Sequence, residues 1–355
     1  MGSLVGVRER FWPAAAWAGL VAGAAALTGL VTTTVSPPTD EPGRAPPAAI
    51  TLDHDLARAG TAPLGCALGQ GASRASHSVE VSDGPEGSDR AGGETRNDPH
   101  ALTPAEAEDL DRQLREVPVD QVPQGGPSQE VPVVVHVISA ADGTGDLDED
   151  TVLDQLSVLN GGFSGAYGGA DTGFRFQLQE ITRTQDDAWF HDFGAHEREA
   201  KQRLRSGGAE VLNIYSVNLG DGVLGRSTFP QDYAERSSHD GVVLDHRTVP
   251  DGGRANFDLG HTATHEVGHW LGLFHTFQNG CAFPGDYVAD TPYERFEATG
   301  CPEGRNSCSQ RWGTDPVHNF MNYSNDACLS EFTAGQAQRM ARAWFGFRDE
   351  QDYGA

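Results

Sequence analysis

From residue 129 onward the sequence predicts a mostly parallel sheet flanked by helices. Two observations carry this. VPVVVHVIS (131–139) is a near-continuous, β-branched apolar run, the pattern of a strand buried on both faces. After it, stretches of helical and of strand spacing alternate along the chain, which favours parallel strands joined by crossover helices.

The elements follow in order. Val152, Leu153, Leu156 and Leu159 recur at helical spacing within 149–160. FRFQLQEI (174–181) sets Phe174, Phe176 and Leu178 on one side, as a strand does. Residues 195–206 are charged and helical in character, closed by Gly207-Gly208. VLNIYSVNL (211–219) and GVVLDH (241–246) read as further strands, and 259–272 as a helix. The tail TAGQAQRMARAWF (333–345) is a last helix with Thr333 as its N-cap.

Upstream the composition changes. Residues 11–31 carry no charge and follow Arg8 and Arg10, which reads as a secretory signal spanning 1–35. A retained signal anchor is the alternative, since the run is about the roughly 20 residues that span a bilayer. Either places the remaining chain outside the cytoplasm, where disulfides persist. Residues 36–100 are rich in Pro, Gly, Ser, Ala and charge and lack the apolar content to offset ordering entropy. Thr103-Pro104-Ala105-Glu106 is a capping box with proline at the first helical position, and Leu110 and Leu114 share a face, so a helix is expected over 103–116. We read 36–128 as linker and pro-segment, and 129–355 as the compact domain.

The 355 residues hold 51 acidic against 25 basic side chains, a net charge of −26. Such a balance argues against a nucleic-acid partner, whose phosphates need a basic footprint. No stable membrane partner is expected either, unless the N-terminal apolar segment is retained. There is neither a Gly-x-Ser-x-Gly elbow nor a Gly-rich phosphate loop ending in Lys-Ser/Thr.

Residues 265–275 read His-Glu-Val-Gly-His-Trp-Leu-Gly-Leu-Phe-His. On a helix His265 and His269 project from one face and offer two nitrogens to one metal. Gly272 can turn left-handed, end the helix and let His275 swing in as a third ligand. Three protein ligands leave one tetrahedral position open, the mark of a catalytic zinc. Glu266 then stands where it can take a proton from water. With 13 histidines in the chain, a bare His-Glu-x-x-His arises by chance in about three of a hundred such sequences; adding Gly272 and His275 lowers this to roughly one in ten thousand. His136 is expected in the core or cleft, His261 as a solvated residue of the first helical turn, and His318 beside the Asn319–Tyr323 segment, with support of the metal site only as an alternative.

With these motifs in place the sequence resembles the metzincin zinc endopeptidases, and within them the pappalysin-type (cytophagalysin) family. The resemblance rests on VPVVVHVI (131–138), ADTGFRFQL (170–178), VLNIYSVNL (211–219), the histidine helix, GDYVADTP (285–292) and HNFMNYSNDAC (318–328), in that order. It implies an α+β zincin-like fold: a mostly parallel twisted sheet with one antiparallel edge strand and flanking helices, an active-site helix, and a loop-rich, disulfide-stapled C-terminal subdomain ending in a helix. His265, His269 and His275 would bind zinc, with Glu266 as general base. Met321, in Asn319-Phe320-Met321-Asn322-Tyr323, would lie beneath the metal, and Tyr323 would stabilise the oxyanion. The edge strand that binds substrate would fall within Gly222–Phe229.

The resemblance also implies the pairings Cys281–Cys308 and Cys301–Cys328. It suggests calcium at GDYVADTP, with Asp286 and Thr291 as ligands; Asp290 could equally form a turn. Asp326 would lie at the bottom of the pocket for the residue after the scissile bond and favour Arg or Lys there. Cys66, the odd cysteine, could lay its thiolate on the zinc and hold a precursor latent. The expected function is that of a secreted zinc endopeptidase acting on proteins or peptides and made as a zymogen. The alternative is a non-catalytic, zinc-containing binding protein on the same fold, which would have no need of Glu266.

Overall fold

The computed structural model describes residues 102–118 and 129–349. All belong to one compact unit, Gly84–Ala355. The signal region, the stretch 36–100 and Cys66 lie outside the described residues.

Helix α1 (Pro104–Glu116) starts at the Thr103 capping box and buries Ala107, Leu110 and Leu114. Strand β1 (Gln129–Ser139) leads into α2 (Glu149–Phe163), which is capped by Asp148, and then β2 (Phe174–Gln185). Helices α3 (Asp187–His191) and α4 (Phe193–Leu204) start at the side chains of Asp186 and Asp192. Strands β3 (Leu212–Val217) and β4 (Gly225–Ser227) precede a short α5 (Tyr233–Arg236), then β5 (Val242–Asp245), α6 (His261–Trp270) and α7 (Ala334–Phe347). The helix expected over 195–206 thus begins earlier and is broken at Asp192, whose φ of −137° is not helical.

The five strands lie in the order β2-β1-β3-β5-β4. The pairs β1–β2, β1–β3 and β3–β5 are parallel, while β4 runs antiparallel to β5 and forms one edge. Side-chain alternation divides the core in two. Val131, Val133, Val135 and Val137 of β1, Leu212 and Ile214 of β3, and Val242 and Leu244 of β5 face α2 and α6. Ile138, Tyr215, Val217 and Val243 face Trp189, Phe190, Phe193 and Ala200 of α3 and α4. Both faces of the middle strands are covered, which explains their lack of polar alternation.

His136 lies on the second face. It stacks on Tyr215 at 4.6 Å and bonds to Thr182 Oγ1 (2.7 Å) and Asn213 Oδ1 (3.0 Å). Burial pushes its pKa down against the opposing pull of Asn213. It is a core residue of the sheet.

Candidate metal centre

Helix α6 presents His261, His265 and His269 one turn apart on a single face. It ends in a Schellman turn: Gly272 N–H donates to His269 O (2.8 Å), Leu273 N–H to Gly268 O (2.9 Å), and Gly272 has φ +87°. Three residues later His275 returns to the first two. The Nε2 atoms of His265, His269 and His275 lie 3.1, 3.1 and 3.3 Å apart.

These nitrogens fit a metal better than one another. His265 Nδ1 faces Phe320 O (2.7 Å) and His269 Nδ1 faces Leu273 O (2.8 Å). A carbonyl only accepts, so both Nδ1 atoms carry the proton, and in the neutral imidazole each Nε2 turns a lone pair inward. Without a cation those lone pairs repel. A tetrahedral ion with bonds of about 2.0–2.1 Å sets its ligands roughly 3.3 Å apart, close to the observed spacing. The two carbonyls are the outer partners that orient ligating imidazoles.

Glu266 is buried next to the first of these histidines, against edge strand β4: a Cβ at Gly225 would meet Glu266 Cγ at 2.8 Å. Met321 is fully buried beneath the helix. Its Sδ lies where a Cβ at Gly268 would come within 2.4 Å, so glycine at 268 lets Met321 approach between the two ligand turns. The Tyr323 ring packs 4.9 Å from His275, 5.7 Å from His265 and 5.1 Å from Phe277. Phe229, just after β4, packs 5.2 Å from His269.

Asp326 is buried at the start of α6, where its Oδ2 accepts from the amides of Leu259 (3.0 Å) and His261 (3.3 Å). His261 is only 6% exposed, wedged between Tyr167 (5.2 Å) and Phe320 (5.0 Å). This corrects the expectation of a solvated first turn: the loop carrying Tyr167 covers it, which local helical position cannot reveal. His318 bonds through Nδ1 to Cys328 O (2.6 Å), which raises its pKa, and its Nε2 meets Glu303.

Disulfides join Cys281 to Cys308 and Cys301 to Cys328. Within the first loop Asp286 and Thr291 are both buried. The Val288 amide donates to Asp286 Oδ1 (3.1 Å), while Asp286 Oδ2 and Thr291 Oγ1 make no hydrogen bond of normal geometry among the described residues. Burial pushes the Asp286 carboxyl up to about 8, against the pull of the Val288 amide and the neighbouring Thr291 hydroxyl. Asp290 turns away and takes Thr333 Oγ1–H (2.7 Å) and Gly335 N–H (2.8 Å), so it fastens the start of α7.

Glu294 escaped sequence reasoning because no motif surrounds it. It is fully buried and accepts from Thr276 Oγ1 (2.7 Å) and Asn322 Nδ2 (2.8 Å), with Arg305 on its other oxygen. It thereby links the neighbour of His275 to the neighbour of Met321. Burial raises its pKa; the hydrogen bonds and Arg305 oppose the shift.

Residues 208–344 match the Peptidase M43 family, described as pregnancy-associated plasma protein-A. The chain is 43% identical over 224 residues to extracellular metalloprotease 1 of Coccidioides posadasii, covering 62% of this chain and 78% of that protein. An extracellular metalloprotease of Verticillium alfalfae is also 43% identical, over 225 residues, with 61% and 76% covered. Among solved structures, a promirolysin mutant of Tannerella forsythia superposes with TM-score 0.59 and 28% identity, covering 67% of this chain and 86% of that one. Mature mirolysin of the same organism, in complex with a cleaved peptide, gives TM-score 0.54 and 29% identity over 61% and 91%. Sequence, fold and histidine geometry agree: the chain belongs to the pappalysin-type family of metzincin metalloproteases and is a metalloendopeptidase.

Proposed function

We propose a secreted, zinc-dependent endopeptidase, made as a precursor, that cuts before Arg or Lys. The observation that carries the metal assignment is the convergence of the three Nε2 atoms at 3.1–3.3 Å, with the His265 and His269 lone pairs turned inward. When bound, zinc would polarise the scissile carbonyl and acidify a water molecule. Glu266 takes the proton of the attacking water and passes it to the leaving amine. The Tyr323 hydroxyl donates to the developing oxyanion. An extended peptide lies antiparallel along β4, whose Gly225 brings the strand against Glu266.

Asp326 would hold the basic side chain that follows the scissile bond. Its burial one helical turn before His265 supports this. Calcium at Asp286 and Thr291 is supported by two buried oxygens that lack hydrogen bonds of normal geometry and by a carboxyl that burial alone pushes up, the environment a bound cation would relieve. The precursor reading draws on the likeness to promirolysin, with Cys66 as the latency thiolate; export draws on the relatives named extracellular and on the N-terminal apolar run. No helix among the described residues is long and apolar enough to cross a membrane. Residues 36–128 then form the linker and pro-segment, and 129–355 the catalytic domain.

The test is mass spectrometry of peptides from a denatured-protein mixture incubated with the protein and, separately, with its Glu266→Ala variant. Internal cuts by the parent alone, with Arg or Lys enriched at the new N-termini, are expected. Cuts by both proteins would remove Glu266 from the mechanism; cuts without that enrichment would remove Asp326 from substrate selection.

A further inference from the structure

Helix α7 grips the metal turn with two buried guanidiniums. Arg348, its C-cap, donates from Nε to Trp270 O (2.9 Å), lies 3.6 Å over the Trp270 ring, and pairs with Asp240 through both Nη atoms (3.1 Å each). Arg339 donates from Nε to Gly272 O (2.8 Å), lies 4.4 Å over the Phe274 ring, and pairs through Nη1 with Asp111 of α1 (2.8 Å). The two sites repeat one design: a carbonyl, an aromatic face and a buried aspartate around each guanidinium.

The carbonyls are not arbitrary. The last ones of α6 have no partner within the helix and carry the negative end of its dipole, where cations bind well. Gly272 precedes Leu273, whose carbonyl receives the His269 Nδ1 proton, and the same turn delivers His275 three residues on. Ala343 of α7 presses on the turn as well, 2.9 Å from where a Cβ at Gly272 would stand. A well-packed apolar filling would serve stability as well as two buried ion pairs or better. The arginines therefore need another reason to be there, and the turn they hold supplies it.

We propose that Arg339 and Arg348 are positioning residues for the metal. By fastening the Trp270 and Gly272 carbonyls they hold the turn that orients His269 and brings in His275. Asp111 and Asp240 are the counter-ions that allow the guanidiniums to be buried, so docking of α1 completes one of the two clamps. This rests on the reading that the three histidines hold zinc.

The test uses the full chain carrying Glu266→Ala, which prevents self-cleavage, loaded with Zn2+. In it the pair is removed as a unit, Asp111→Leu with Arg339→Leu, and transfer of Zn2+ to a coloured chelator is timed. The expected result is release about tenfold faster, the scale of lost outer partners of a metal site, with the melting temperature of the metal-free protein unchanged. Arg339→Lys, which keeps the charge beside Asp111 but not the planar fork, covers the case in which the double variant does not fold; it too is expected to release zinc faster. Release at the parent rate from whichever variant folds would overturn the positioning role. A parent that takes up no zinc would instead overturn the metal-site reading, and this one with it.

Discussion

Between Gln129 and Trp270 the chain coheres by apolar packing on both faces of a sheet; between Thr276 and Thr333 only Phe320, Met321, Leu329 and Phe332 join that core, and the rest is held mainly by point contacts. The second region contains only a 3-10 turn, Asp326–Cys328, and an isolated bridge between Asn319 and Glu331. With no extended core of its own, it relies on two disulfides, the Glu294 network, and Asp315 bound to Arg305 and Ser307. The metal centre straddles both: His265, His269 and Glu266 come from the packed region, Met321 and Tyr323 from the stapled one. The difference teaches that half of this site depends on a few discrete bonds, each of which can be removed singly.

The largest expected effect comes from the disulfides. Each closes a separation of 27 residues, and the chain-entropy relation puts each at about 3–4 kcal/mol. In a Cys281→Ala/Cys301→Ala variant, amides of 276–333 should exchange with solvent much faster while those of β1 and β3 stay protected. Equal loss of protection in both regions, read by hydrogen-exchange mass spectrometry, would show that they fold as one unit and abolish the contrast.

Next comes the apolar core. Leu212 is fully buried in β3, and Leu212→Ala should cost about 3 kcal/mol in urea unfolding. A cost below about 1 kcal/mol would mean that the sheet relaxes around the cavity and is less tightly packed than it looks.

Glu294→Ala should cost about 2 kcal/mol, because Arg305, Thr276 and Asn322 lose their common acceptor. It should also lower kcat, since the network sits beside His275 and Tyr323. An unchanged kcat with reduced stability would confine Glu294 to a structural part.

The smallest effect separates the regions by sign. Glu197 of α4 is pushed up by burial but pulled further down by Lys201 and Arg226, to about 2 from an ordinary 4.5. Its contribution is therefore full above pH 4.5 and is lost as the pH falls toward about 2. Burial also lowers Lys201, which offsets part of the gain. Glu294 is raised above 4.5, so the folded state holds the extra proton and stability falls as the pH rises from 4.5 through its folded value. Thermal melting against pH should show a shallower acid limb for Glu197→Gln, and loss of the decline above pH 4.5 for Glu294→Gln. Identical limbs in parent and variants would mean that neither carboxyl governs the profile.

Much of the packed region is legible in local sequence. A β-branched run can be satisfied only by burial on both faces, so Val131–Ile138 announced an inner strand of the sheet. Thr103 and Thr333, each followed three residues later by Glu106 or Gln336, announced two helix starts through capping chemistry. His265 and His269 share a face at any helical spacing of four, and Gly272 is suited to the left-handed turn that follows. These are short-range constraints, carried by residues within one or two helical turns.

What lies beyond that range was decided by tertiary structure. That His261 is buried depends on Tyr167, far upstream. That Gly225 and Gly268 must be glycine depends on Glu266 and Met321 arriving from other segments. Asp290, read from local pattern only as a residue of a calcium turn or an Asx turn, reaches across to the start of α7. Glu294 and Arg339 look like ordinary surface charges in the sequence. Only the closed fold removes water from them and gives each its partners, and a buried charge acquires its role from groups that the chain brings near from a distance.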